Sequence, residues 1–146
     1  MNGGMMTTIM LDMVMFERPL FSGPVRRFSV RTGLGEIGVL PRHAPLMALL
    51  LPCVARIQVE DVMPPRLIYL GGGFIEVQPE RITVLAEDAL WVDEVDIQAM
   101  RQQREQAEQC MRTSVLIQDR DRAQIEWMQA SAQIELWERS QPVSGL

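Results

Sequence analysis

From Val92 to Arg139 the chain contains neither proline nor glycine, whereas the residues before Val92 are punctuated by both. That contrast divides the chain into two regions that cannot share one kind of backbone. In the first region, short runs rich in Val, Ile and aromatics predict strands. They lie at Thr8–Met15, Val25–Arg31, Ile37–Leu40, Val54–Glu60, Arg66–Leu70, Gly73–Gln78 and Arg81–Glu87. Several alternate: Phe28-Ser29-Val30-Arg31-Thr32 and Ile82-Thr83-Val84-Leu85-Ala86 send apolar side chains to one face. Ser22-Gly23-Pro24, Gly33–Gly35, Met63-Pro64-Pro65, Gly71–Gly73 and Gln78-Pro79-Glu80 read as turns between them. Gly71–Gly73, flanked by strands, reads as a bulge or tight hairpin. Many short, evenly spaced strands predict an all-β N-terminal domain, an antiparallel sandwich or barrel, over residues 1–91.

The second region, residues 92–146, is mostly Gln, Glu, Arg, Ala, Met and Leu, which favour helix. Arg112-Thr113-Ser114-Val115 is polar and β-branched and should break the run into helices over 93–111 and 118–139. A short connection makes them an antiparallel hairpin. Asp93 is the expected cap of the first helix, with Asp96 as an imperfect capping-box partner. In the second helix, Ala123, Trp127, Ala130, Ile134 and Trp137 form one apolar stripe. Ile125, Met128, Ala132 and Leu136 form another on the opposite side. Such a helix needs two packing partners: the first helix, and either the sandwich or another protein. The first helix has a poorer stripe, since Val95, Ala99 and Cys110 share it with Gln103 and Gln106. A hairpin held so weakly belongs to the low-stability end of a fold.

Gly33–Gly38, GLGEIG, fits the dinucleotide pattern G-x-G-x-x-G. A phosphate cradle of that kind needs a helix immediately afterwards. Pro41 and Pro45 occupy that stretch and forbid one. The segment is therefore a glycine turn between extended segments, with Glu36 at its tip.

At 146 residues the chain suits one ordinary domain or two small ones, and 47% apolar content supplies a core. A net charge of −5 disfavours nucleic acid as a partner. Every basic residue is arginine. Cys53 and Cys110 are too few for a disulfide framework or a zinc site, and His43 is the single histidine, so no metal site is expected. Residues 1–16 lack the basic start of a signal peptide and read as a flexible entry into a strand. The apolar run Pro45–Ala55 is too short to span a bilayer. A soluble chain that meets a membrane only through a complex is expected. His43 with Cys53, and carboxylate pairs such as Asp93/Asp96 and Asp119/Asp121, assemble no active site. No catalytic residue is assigned, and the pattern points to a protein–protein module.

Particular segments reach further. FSGPVRRFSV, GEIGVLPRHAPLM and IYLGGGFIEVQPERITVLAEDA occur in this order and spacing. The chain from about Met10 to its end closely resembles the epsilon subunit of bacterial F-type ATP synthase. The resemblance implies a β-sandwich of about ten antiparallel strands followed by an α-helical hairpin. It implies a central-stalk role in the rotor, coupling proton or sodium flow to ATP synthesis without chemistry of its own. The implied partners are gamma, the c-subunit ring and, when the arm extends, beta and alpha. The implied place is the cytoplasmic face of the bacterial plasma membrane. Glu36, Ile37, Arg42 and His43 match the region near the ring loops. Trp127, Ile134 and Trp137 lie on the arm that in many members brakes ATP hydrolysis. Some members bind ATP through I/L-D-x-x-R-A. Here Val95-Asp96-Ile97-Gln98-Ala99-Met100 keeps Asp96 but puts Ala99 in place of the arginine, so no cofactor is expected. Two alternatives stay open: a free-standing sandwich that binds a ligand or acts as an enzyme, and an epsilon subunit of a variant, sodium-translocating ATPase.

Overall fold

The computed structural model describes residues 7–142, so residues 1–6 of the expected flexible start and the last four residues lie outside it. Ten strands come first: β1 (Ile9–Met15), β2 (Arg18–Val25), β3 (Arg27–Thr32), β4 (Gly35–Val39), β5 (Leu46–Leu50), β6 (Cys53–Gln58), β7 (Arg66–Leu70), β8 (Gly73–Val77), β9 (Arg81–Ala86) and β10 (Ala89–Leu90). They make two layers, β10-β7-β6-β3-β4 and β5-β8-β9-β1-β2, linked through the pairing of Thr32 with Leu50. Alternation sends Leu11, Phe28, Val30, Ile57, Ile75, Ile82 and Val84 into one shared core.

Most neighbouring strands are antiparallel, but β1 lies parallel to β9, Met10–Met15 beside Arg81–Ala86. Parallel neighbours need a long crossover, and here the chain from β2 to β8, which passes through both layers, supplies it. The expected turn Ser22-Gly23-Pro24 is instead inside β2, paired with Asp12, Leu11 and Met10 of β1. Among the strand pairings β2 meets only β1, so Pro24 sits on an edge where its missing N–H breaks no ladder. β5 escaped a period-2 reading because Leu46-Met47-Ala48-Leu49-Leu50 is apolar throughout. Its Ala48 and Leu50 are buried while Met47 and Leu49 are exposed. Gly71–Gly73 is neither bulge nor hairpin. It carries the chain from β7 in one layer to β8 in the other, pairing on the way through Gly71 N–H to Asp88 and Glu87 N–H to Gly72.

A 3₁₀ turn (Val92–Glu94) leads into α1 (Ile97–Thr113) and α2 (Ile117–Arg139). Asp96, not Asp93, caps α1 by accepting from the Ala99 N–H at 3.1 Å. Glu94 accepts from the Trp91 N–H and so closes the 3₁₀ turn, which starts the helix later than expected. Ala107 is the one buried residue of α1, as its broken stripe implies, whereas α2 buries Ala123, Ala130, Ala132, Gln133, Ile134 and Leu136. The hairpin lies on the outside of β6 and β7. It therefore covers one face of the first layer and leaves the outer face of the second layer bare.

Candidate functional site

Three surfaces carry the residues singled out by sequence. The first is β4. The β3–β4 connection turns at Gly33 and Leu34, where Thr32 Oγ1 accepts from the Leu34 N–H and donates to the Gly35 carbonyl. Glu36 is thus not at the tip, as expected, but one residue into β4, opposite Arg31. Leu34 takes the apex and is 74% exposed. Glu36 remains exposed, while Ile37, facing the other way along the strand, packs against the core. Arg42 and His43 lie on the loop after β4, where the Arg42 N–H bonds to Pro79 and His43 Nδ1 approaches the Ala44 carbonyl. They stand at the opposite end of β4 from the turn, roughly 10 Å of strand away. The four residues form no single patch. Glu36 and Ile37 lie on β4, which among the strands pairs only with β3 and is an edge, and Arg42 and His43 lie on the loop beyond it.

The second surface is the seam between hairpin and sandwich. Three consecutive residues of β7 are buried because that strand is covered on both faces: Ile68 and Leu70 enter the core, and Tyr69 points outward. Tyr69 packs with Ala132 and Leu136 of α2 and is flanked by Val54, Leu67, Leu90, Val92 and Val95. The second stripe of α2 thus meets the sandwich. Two hydroxyls in this region, Tyr69 and Ser131, are buried without a hydrogen-bond partner. Each omission costs about 1–3 kcal/mol. Burial pushes the Tyr69 phenol up to about 12, and the nearby Gln133 amide, outside good hydrogen-bond geometry, offsets little of that. With the folded value above the unfolded one, its contribution is complete below the free phenol's pKa and fades as pH rises towards 12.

The other stripe meets α1. Ile134 is buried, Trp127 Nε1 donates to Glu108 at 2.9 Å, and Arg101 lies 5.4 Å above the Trp137 ring. Gln103 of α1 donates to the Glu126 carbonyl at 3.2 Å, so a polar residue does the packing where the stripe fails. At the junction Arg66 lies over Trp91 at 4.7 Å and near Phe21 at 5.6 Å, while Arg18 donates to both Glu94 oxygens at 3.2 Å. The Trp91 N–H, reinforced by Arg18, holds the Glu94 carboxyl below the usual carboxylate range. That contribution is present above the ordinary carboxylate pKa and fades as pH falls through the lowered one.

The third surface was missed in the sequence. On the bare outer face of the second layer, cross-strand pairing aligns Leu49, Phe74, Leu85, Val14 and Pro19 in one row. Leu49 is 67% and Leu85 51% exposed. Such a row crosses five strands and is invisible to any single one, although Leu85, turned outward by the alternation of Ile82–Ala86, was a signal.

Residues 8–92 match the family profile described as the ATP synthase delta/epsilon chain β-sandwich domain. An ATP synthase epsilon chain of Alkalilimnicola ehrlichii is 35% identical over 134 residues, covering 92% of this chain and 95% of its own length. One from Acinetobacter baylyi is 39% identical over 106 residues, 73% of this chain and 76% of its own.

The chain belongs to the ATP synthase epsilon-chain family.

Solved structures agree on the fold. A chain of the Euglena gracilis mitochondrial ATP synthase (OSCP/F1/c-ring) superposes with a TM-score of 0.77 at 22% identity, covering 96% of this chain and 85% of its own. A chain of the Tetrahymena thermophila mitochondrial ATP synthase central stalk and c-ring gives 0.57 at 13%, covering 90% and 95%. The stretch Val95–Met100 lies at the start of α1, where Asp96 is engaged as the helix cap and Ala99 carries only a methyl group.

Proposed function

We propose that this chain is a central-stalk subunit of an F-type ATP synthase, held by gamma on the bare face of its second layer and touching the c-subunit ring along β4. The match to epsilon chains over nearly the whole length carries this reading. The apolar row from Leu49 to Pro19 supports a partner there, since contiguous exposed apolar surface marks a protein–protein or membrane contact. The subunit is non-catalytic, and the chemistry belongs to the subunits around it. Among the described residues no helix is long and apolar enough to cross a membrane. The proposed attachment is peripheral, through the ring, on the cytoplasmic face of the bacterial plasma membrane.

Glu36 is the ring contact proposed here, with Arg42 and His43 meeting the ring further along the same edge. A carboxylate on an exposed strand edge can accept from basic or amide groups of ring loops. Glu36→Arg should lower the yield of assembled, coupled complex while gamma still co-purifies with the mutant chain. An unchanged yield would remove Glu36 from the contact, and loss of gamma as well would point to misfolding.

The hairpin is the regulatory arm, reaching beta and alpha when it leaves the sandwich. Its second helix is net acidic, with Arg120, Arg122 and Arg139 against Asp119, Asp121, Glu126, Glu135 and Glu138. A brake built on it uses the apolar residues Trp127, Ile134 and Trp137, which are freed only when α2 also parts from α1. Deleting the residues after Val92 should raise ATP hydrolysis by the assembled complex. Unchanged hydrolysis would mean that this arm is no brake.

A further inference from the structure

The outer face of β3, β4 and β6, beside α2, is a polar basin. Ser29 pairs with Gly38 on one side and Arg56 on the other, so its floor is small and carries a hydroxyl. Gly38 leaves room for the Arg27 guanidinium, whose nearest nitrogen would stand 3.0 Å from a β-carbon placed there. Arg31 and Arg56 line a cleft of about 270 Å³ that α2 closes on the far side with Glu135 and Arg139. Arg27 and Arg56 line a smaller hollow of about 120 Å³ on the other side of Ser29. The ion pairs among the described residues engage Arg18, Arg26, Arg81, Arg122 and Arg139, so Arg27, Arg31 and Arg56 have no carboxylate within 4 Å. Four guanidinium groups here face two carboxylates, Glu36 and Glu135, and Glu135 is already paired with Arg139 at 3.3 Å. In a chain of net charge −5 this is a local positive excess.

We propose that this basin binds a small multivalent oxyanion, with phosphate as the simplest case. Planar guanidinium forks match tetrahedral and planar oxyanions in a way that point charges do not, and the Ser29 hydroxyl supplies a further donor. Concavity decides against an acidic protein segment: the charges rim a pocket with a small-residue floor and do not lie along a ridge. One wall of the site is α2. An anion held by Arg31, Arg56 and Arg139 bridges sandwich and hairpin, and by linkage favours the docked arm. The binding step does not depend on whether the arm brakes hydrolysis. The docking consequence rests on the regulatory reading above.

The test titrates inorganic phosphate into the isolated full-length chain and follows backbone amides by NMR, with sodium chloride at matched ionic strength as control. Saturable shifts are expected at Ser29, Gly38 and Ser131, with slower hydrogen exchange along α2. The exposed double substitution Arg31→Gln and Arg56→Gln, its fold checked by circular dichroism, should weaken the apparent affinity by about tenfold or more. Equal shifts with sodium chloride, or an undiminished response in the double variant, would overturn the proposal. Phosphatidylglycerol vesicles are run in parallel. Shifts at the same residues with vesicles but not with free phosphate support the site with a lipid headgroup as its source, and silence in both arms overturns it.

Discussion

The Leu136→Ala chain should keep its sandwich and lose most of its docked hairpin. Leu136 is fully buried and, with Tyr69 and Ala132, makes the small cluster that joins α2 to the first layer. Truncating a buried leucine costs about 2–5 kcal/mol. The seam has little to set against that loss, because it already buries the unpartnered Tyr69 and Ser131 hydroxyls. The sandwich core is a separate cluster containing no residue of α2, so it does not feel the substitution directly. Hydrogen exchange should therefore show protection lost in Ala123–Trp137 and kept in β8 and β9. In the unsubstituted chain the same segment should already exchange faster than the deepest strands. Protection in α2 that equals those strands and survives Leu136→Ala would mean that the hairpin is not loosely docked. In the assembled complex an arm freed from the sandwich, once α2 also parts from α1, gives the opposite readout to truncation: hydrolysis falls if the arm brakes.

Gly73→Ala should strongly destabilise the sandwich. Gly73 has φ +131°, a conformation that side chains rarely adopt, and its added β-carbon would stand 2.2 Å from the Leu85 carbonyl oxygen and 2.9 Å from the Ala86 Cα. Both are backbone atoms of the paired strand β9, so relief requires breaking the β8–β9 ladder. Strain at such a position alone costs about 1–3 kcal/mol, and the overlap adds to it, against a total stability of about 5–15 kcal/mol. A melting temperature lower by about 10 °C or more, or insoluble chain, is expected. Gly33→Ala is the control: nothing lies within 4 Å of its added β-carbon and its φ is not in the left-handed region. A melting temperature for Gly73→Ala as high as that of Gly33→Ala would show that the β7–β8 crossover can shift to make room.

Apolar alternation in Phe28–Thr32 and Ile82–Ala86 was enough to place β3 and β9, because each buries one face against the shared core. The proline-free, glycine-free second region was enough for the hairpin. β5 was hidden because every residue in it is apolar, and β2 because Gly23 and Pro24 read as a turn, although an edge strand tolerates both. The site was less legible than the fold. Glu36, Ile37, Arg42 and His43 are close in sequence, yet the alternation of β4 sends Glu36 and Ile37 to opposite faces, and the length of β4 parts them from His43. Tyr69 carried no mark beyond one aromatic residue in an apolar run.

By itself the sequence determined the division into sandwich and hairpin, the failure of GLGEIG as a nucleotide loop, and the two apolar sides of α2. All of these depend on local backbone chemistry: what proline forbids, what a 2.0 or 3.6 period buries. Only the tertiary structure decided which sheet face the hairpin covers, which face it leaves bare, and that Arg27, Arg31 and Arg56 share one basin with the end of α2. Those facts are set by strand register and layer order, which join residues far apart in the chain and leave no trace in any one segment of it.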